Sequence, residues 1–154
     1  MDLLIYWRDY KKNPAEASGG TCRWHSNARM FAELHAGDRL WMVTSGKNLG
    51  QEAEQAGFLV AVWQVREVTP NPGDDPTYPA AQYRYRVVAD ATASIPFEEP
   101  VPVDHIVRPA GCDKAAAIGR FLQGPRRLKD ETVRLLRSAA GPRMAVQYLR
   151  GKQL

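Results

Sequence analysis

Apolar and polar positions change their period several times along the chain, and each change marks an element. Leu3-Leu4-Ile5-Tyr6-Trp7 is a short apolar run rich in strand formers and predicts a first strand. Residues 11–21 (KKNPAEASGGT) collect Pro, Gly, Ser and Asn and predict a loop. Met30, Phe31 and Leu34 then fall at helical spacing, with Ser26 placed to cap that helix and Gly37 to stop it. Leu40 to Val43 predicts a second strand, and the polar stretch 45–57 a loop. Phe58 to Val68 carries the strongest strand pattern. Leu59, Ala61, Trp63 and Val65 alternate with Val60, Val62 and Gln64, and the near-continuous apolar first half predicts burial on both faces.

Four prolines and Gly73 make 69–81 a long, turn-rich loop. Over 82–89, Tyr83, Tyr85 and Val87 alternate with Arg84, Arg86 and Val88, as in a half-exposed strand. Pro96, Pro100, Pro102 and Pro109 restrict the next segment to an extended sheet edge. After Gly111 the period turns helical. Asp113 is placed to cap a helix carrying Ala117, Ile118, Phe121 and Leu122 and ending at Gly124-Pro125. Asp130 is placed to cap another, with Leu135, Leu136 and Ala139 inward and Gly141-Pro142 as its stop. The tail 143–150 reads equally as helix or strand.

This succession predicts an α+β fold: a small mixed or antiparallel barrel-like sheet, followed by helices. A length of 154 residues suits one domain, with 112–154 as a basic helical extension. Charge sharpens that division. The net charge is +4, but residues 1–100 hold 10 basic and 13 acidic side chains, whereas 101–154 hold 11 and 4. A basic end suits a polyanionic partner, most often nucleic acid, or else is a solvated helix face. No apolar run approaches the roughly 20 residues of a membrane helix. The first residues have no cleavage-site pattern, and Cys22 and Cys112 make no disulfide framework. A cytoplasmic protein without a membrane partner is expected.

The common phosphate-loop, dinucleotide, nucleophile-elbow and zinc-protease motifs are absent from the sequence. Cys22-x-x-His25 has the spacing of half a zinc site, but no second tight pair accompanies it. No metal and no cofactor are assigned. Trp41 and Trp63 lie within strand patterns and are expected in the core. Trp24 lies between a Gly-rich loop and a helix start, where no strand face asks for it. There it offers a wall on which a flat ring can stack, an interaction of roughly 1–3 kcal/mol per base. Ser26 and Asn27 beside it supply a hydroxyl and an amide able to read a base edge; Ser26 serves equally well as a helix cap.

The segment TCRWHSNARMFAELHAGDRLWMVTSG resembles the front half of EVE domains and their YTH relatives in the PUA-like superfamily. The ordered features are the strand Leu3–Trp7, Trp24, the helix Asn27–His35, Gly37-Asp38, the strand Leu40–Val43 and Thr44-Ser45-Gly46. GFLVAVWQVREV is similar to the family's next strand, and IPFEEPVPVDHIV to its Pro-containing segment, so the resemblance spans about residues 3–108. The Gly-x-Lys-x-x-Glu-x-Arg pattern of the related ASCH domains is absent. The resemblance implies a PUA-like (EVE/YTH-type) small mixed β-barrel with surrounding helices. It also implies a non-catalytic reader of DNA or RNA carrying a modified base held in an aromatic cage. Trp24 would then be a cage wall, with His25, Ser26 and Asn27 next to it. Tyr6, Trp7 and Arg8 would stand at the first-strand exit, and Thr44, Ser45 and Gly46 on the pocket floor. Spacing alone assigns no second cage aromatic.

Phosphate contacts are expected from Arg8, Lys47, Arg120, Arg126, Arg127 and Lys129, with Arg134 and Arg137 extending the basic end. Two other classes stay open. An enzyme acting on a nucleoside or nucleic acid would draw on His25, Asp38, Asp9 and Lys47, although Asp38 also suits the turn after Gly37. A protein-interaction module of a larger defence or repair system would expose a large apolar patch.

Overall fold

The computed structural model of the chain describes residues 1–10, 23–108 and 116–152, with the backbone alone described over 142–152. Among the described residues seven strands form one sheet. They are β1 (Asp2–Tyr6), β2 (Arg23–Ser26), β3 (Arg39–Ser45), β4 (Gly57–Pro70), β5 (Tyr85–Ala89), β6 (Ile95–Pro102) and β7 (Arg126–Arg127). The helices are α1 (Gly46–Leu49), α2 (Asp104–Val107), α3 (Ile118–Phe121) and α4 (Asp130–Lys152), with a 3₁₀ turn over Arg29–Glu33. The fold is therefore α+β with a mostly antiparallel sheet. Its order is β2-β5-β4-β3-β1-β7, with β6 on β4, and only β1 and β3 run parallel.

The long strand β4 organises the sheet. Its first half pairs with both β3 and β6, and its second half, from Val65 to Pro70, pairs with β5. Register shifts fall at Met42/Val43, Leu59/Ala61 and Val65/Glu67. Such irregularities bend a strand and increase its twist, which curls a sheet. Strand alternation then divides the apolar residues between two cores. Leu3, Ile5, Leu40, Met42 and Trp63 face one core, closed by Phe31 and Leu34. Leu4, Trp41, Val43, Leu59 and Val62 face the other, covered by Val107, Ile118, Leu122, Val133 and Leu136. Burial on both faces is why these strands read as unbroken apolar runs. Trp41 and Trp63 are core residues, as expected, and Trp41 Nε1 donates to Asp2 Oδ1 at 2.9 Å.

Several expectations need correction. The helix expected from Ser26 to Gly37 shrinks to a five-residue 3₁₀ turn entered at Ala28. Both flanks are extended: β5 pairs with 23–26, Ala28 enters the turn in the β region, and Leu34 leaves it in the β region. The polar stretch after Ser45 holds one helical turn, α1, capped by Ser45 Oγ and ended by Gly50 at φ +69°. Gly141-Pro142 does not end the last helix. The φ of proline is itself helical, and Val133, Leu136 and Ala140 anchor the turns before it, while Leu135 is exposed. The C-terminal segment, expected as an extension, contributes β7 to the sheet and side chains to the second core. The loop 11–21 and the cap Asp113 lie outside the described residues. Among the described residues, no helix is long and apolar enough to cross a membrane.

Candidate functional site

The strands β2 and β7 lie at opposite ends of the strand order, yet Trp24 of β2 meets Trp7 at the exit of β1, so that β2 and β1 face each other across a seam. A cleft of about 730 Å³ occupies that seam. Tyr6, Trp7 and Arg8 line it from the exit of β1, and Trp24, His25, Ser26 and Asn27 from β2 and the turn after it. The structure thus brings together seven of the residues that the sequence singled out. Trp24 differs from expectation in one respect: it belongs to a strand, opposite Val87 of β5. The half-buried Trp24 meets Trp7 edge-to-face at 5.8 Å. Trp7 itself is buried and joins the first core, with Tyr10 and Trp63 edge-on at 5.2 and 5.4 Å. It is the floor of the cleft. Its Nε1 is buried and has no hydrogen-bond partner among the described residues, at a cost of about 1–3 kcal/mol for such a group.

Two aromatics that the sequence reading missed, Tyr78 and Tyr83, enter from the loop between β4 and β5. Buried Asn71 organises that loop. Its Nδ2 donates to the carbonyls of Tyr78 and Tyr83 at 2.9 and 2.8 Å, and its Oδ1 accepts from Gly73 N at 3.0 Å. The Tyr78 ring lies flat on the His25 imidazole, with centroids 4.3 Å apart and planes 13° apart, and meets Tyr83 edge-on at 5.2 Å. Nothing in a Pro-rich loop ties these tyrosines to Trp24 by spacing. Opposite them, Gly119 of α3 packs directly on the Tyr6 ring.

His25 is nearly buried, and its Nε2 accepts a hydrogen bond from Arg86 Nε at 2.9 Å. Arg86 in turn forms an ion pair with Asp74. Burial first, and then the Arg86 charge, lower the His25 pKa below that of an ordinary imidazole. The hydrogen bond from Arg86 holds the Asp74 carboxyl below its usual range. Because a guanidinium only donates, the accepting Nε2 carries no proton, and the neutral ring is protonated on Nδ1.

Thr44, Ser45 and Gly46 do not line the cleft. Thr44 is fully buried; its hydroxyl donates to the Trp7 carbonyl at 2.8 Å and accepts from Asn48 Nδ2 at 2.9 Å. Ser45 caps α1, and a Cβ at Gly46 would run into the Ala53 carbonyl. The three secure the turn behind Trp7. Of the expected phosphate contacts, Arg8 stands exposed on the cleft wall, and Arg23, unanticipated, lines it too. Lys47, Arg120 and Lys129 are exposed away from the lining. Arg126 covers the Phe121 ring at 4.4 Å, and Arg127 pairs with Glu33 at 2.8 Å. The polar groups of the enzyme alternative are dispersed. His25 and Asp9 line the cleft, whereas Lys47 does not, and Asp38 accepts from His35 N at 2.8 Å as a turn cap.

No family model matches the chain, and no curated protein matches it. Among solved structures it is similar to the NMR structure of Rpa0253 from Rhodopseudomonas palustris. The identity is 16%, the match covers 91% of this chain and 92% of that one, and the TM-score is 0.50. The likeness is one of fold.

Proposed function

We propose that this chain is a non-catalytic nucleic-acid reader, built on a PUA-like frame of the EVE/YTH type, that holds a modified base in the cleft at the sheet seam. One observation carries the reading. Tyr6, Trp7, Trp24, His25, Tyr78 and Tyr83 line a single cleft that also carries Arg8 and Arg23. Its volume of about 730 Å³ falls within the roughly 300–1,000 Å³ usual for small-ligand sites. Aromatic faces accept any base, the two arginines attract phosphate, and a methyl group adds apolar contact inside such a site. Extruding a base from its stack costs a few kcal/mol, which an aromatic enclosure offsets. The exposed Arg120, Lys129 and Arg137 add sequence-independent attraction. The non-catalytic part rests on His25. With its one acceptor, Nε2, occupied by the Arg86 donor and Nδ1 protonated, the neutral ring has no free lone pair to turn toward a substrate proton.

The test is fluorescence anisotropy with oligonucleotides, unmodified or carrying methylated or hydroxymethylated bases, across a salt series. Wild type is compared with Trp24→Ala after melting curves establish that the variant is folded. Wild type is expected to prefer one modification. Trp24→Ala is expected to lose that preference and weaken by about 1–3 kcal/mol, roughly 5- to 150-fold, while keeping its salt slope. Equal, purely salt-driven binding by both proteins refutes the reading.

A further inference from the structure

We propose that the cleft is gated by protonation of His25: Arg86 positions the neutral imidazole, the imidazole supports the Tyr78 wall, and acid releases that wall. The proposal deepens the base-reading function and rests on it only for the identity of the ligand. The geometry stands by itself. His25 has one acceptor, Nε2, and that atom takes the Arg86 Nε–H at 2.9 Å. Once protonated, the ring has two donors and a positive charge. The guanidinium can then no longer donate to it, and an attractive contact becomes a repulsive one between two cations.

The surroundings offset that repulsion only in part. Arg86 side-chain exposure is 8%, and its ion pair with Asp74 and its place in β5 hold it where it is. Arg23 on β2 adds a second positive charge near His25. Asp74 and Asp75, from the loop after β4, pull the other way. Asp74 is already engaged by Arg86, which leaves it less able to compensate a new charge on the ring. The Tyr78 ring stacks on the face of the imidazole. His25 is therefore the group that must move, and the Tyr78 ring loses the surface on which it lies. The folded pKa of His25 is depressed, so the closed arrangement is fully present above the ordinary imidazole value of about 6.5 and is lost as pH falls through the folded value.

Two readouts test the gate, the first without any ligand. In NMR titrations of the full chain, His25 should show the Nδ1-protonated neutral tautomer near pH 7.5, an ordinary assay value above the imidazole pKa. The Tyr78 ring resonances should shift with the same midpoint as His25. Arg86→Gln, which keeps an amide donor but removes the charge, should raise that midpoint. In His25→Phe, which keeps an aromatic face for Tyr78, the pH-linked shift of Tyr78 should vanish. The second readout is the affinity for a short fluorescein-labelled single strand carrying the preferred methylated base. Below the His25 midpoint it should fall about tenfold per pH unit in wild type and stay flat in His25→Phe. Tyr78 resonances that ignore the His25 titration, or an equal acid loss of affinity in both proteins, overturn the gate. Absence of oligonucleotide binding at every pH would instead refute the base-reading function and leave the resonances of Tyr78 to decide the gate.

Discussion

Replacing Gly119 by Ala tests the seam directly, because the structure sets both the sign and the size of the effect. Gly119 lies in the short helix α3, and a Cβ there would stand 2.7 Å from the Tyr6 hydroxyl and closer still to two ring carbons. Tyr6 is half-buried between the cleft and the second core. Its ring must therefore turn away or the helix must lift. Overpacking of this kind costs about 1–3 kcal/mol. The same substitution without the ring in the way should do the reverse. Ala gains about 0.5–1 kcal/mol over Gly in a helix, and Gly119 has no positive φ to forbid it. In a Tyr6→Ala background, Gly119→Ala is thus expected to stabilise. Urea denaturation of the four proteins of the cycle measures the coupling, expected at about 1.5–4 kcal/mol. Thermal midpoints follow at about 2–4 °C per kcal/mol for a chain of this size. An equal destabilisation by Gly119→Ala with and without Tyr6 would refute the close approach and the seam built on it.

Two further outcomes separate the cleft from its supports. Thr44→Val should cost about 1–3 kcal/mol in stability, because it removes the buried hydroxyl that bonds the Trp7 carbonyl and Asn48, yet leave the preference among bases unchanged; calorimetry and anisotropy check the two halves. Asn71→Ala should act the other way. Amide exchange and protease sensitivity should rise across the loop that carries Tyr78 and Tyr83, and binding should weaken, while exchange in β3 and β4 stays slow.

Much of this molecule is local and so was legible in the sequence. The strands β1, β3, β4 and β5 follow from alternation and apolar runs, and the two-sided burial of the first half of β4 follows from the missing polar phase. Trp24, His25, Ser26 and Asn27 are neighbours in the chain, as are Tyr6, Trp7 and Arg8, so each group travels together wherever its strand goes. Tertiary structure decided what depends on partners far along the chain. Residues 23–26 become a strand only because β5 pairs with them, a choice that no helix cap could signal. Thr44 and Ser45, placed on the pocket floor only by the family resemblance, instead give their hydroxyls to the Trp7 carbonyl and the α1 cap. Tyr78 and Tyr83 reach the cleft because Asn71 folds their loop back, and His25 meets Arg86 across 61 residues of chain. Sequence period records which face of an element is wet or dry. The partner that a buried polar atom finds is settled only when the sheet curls.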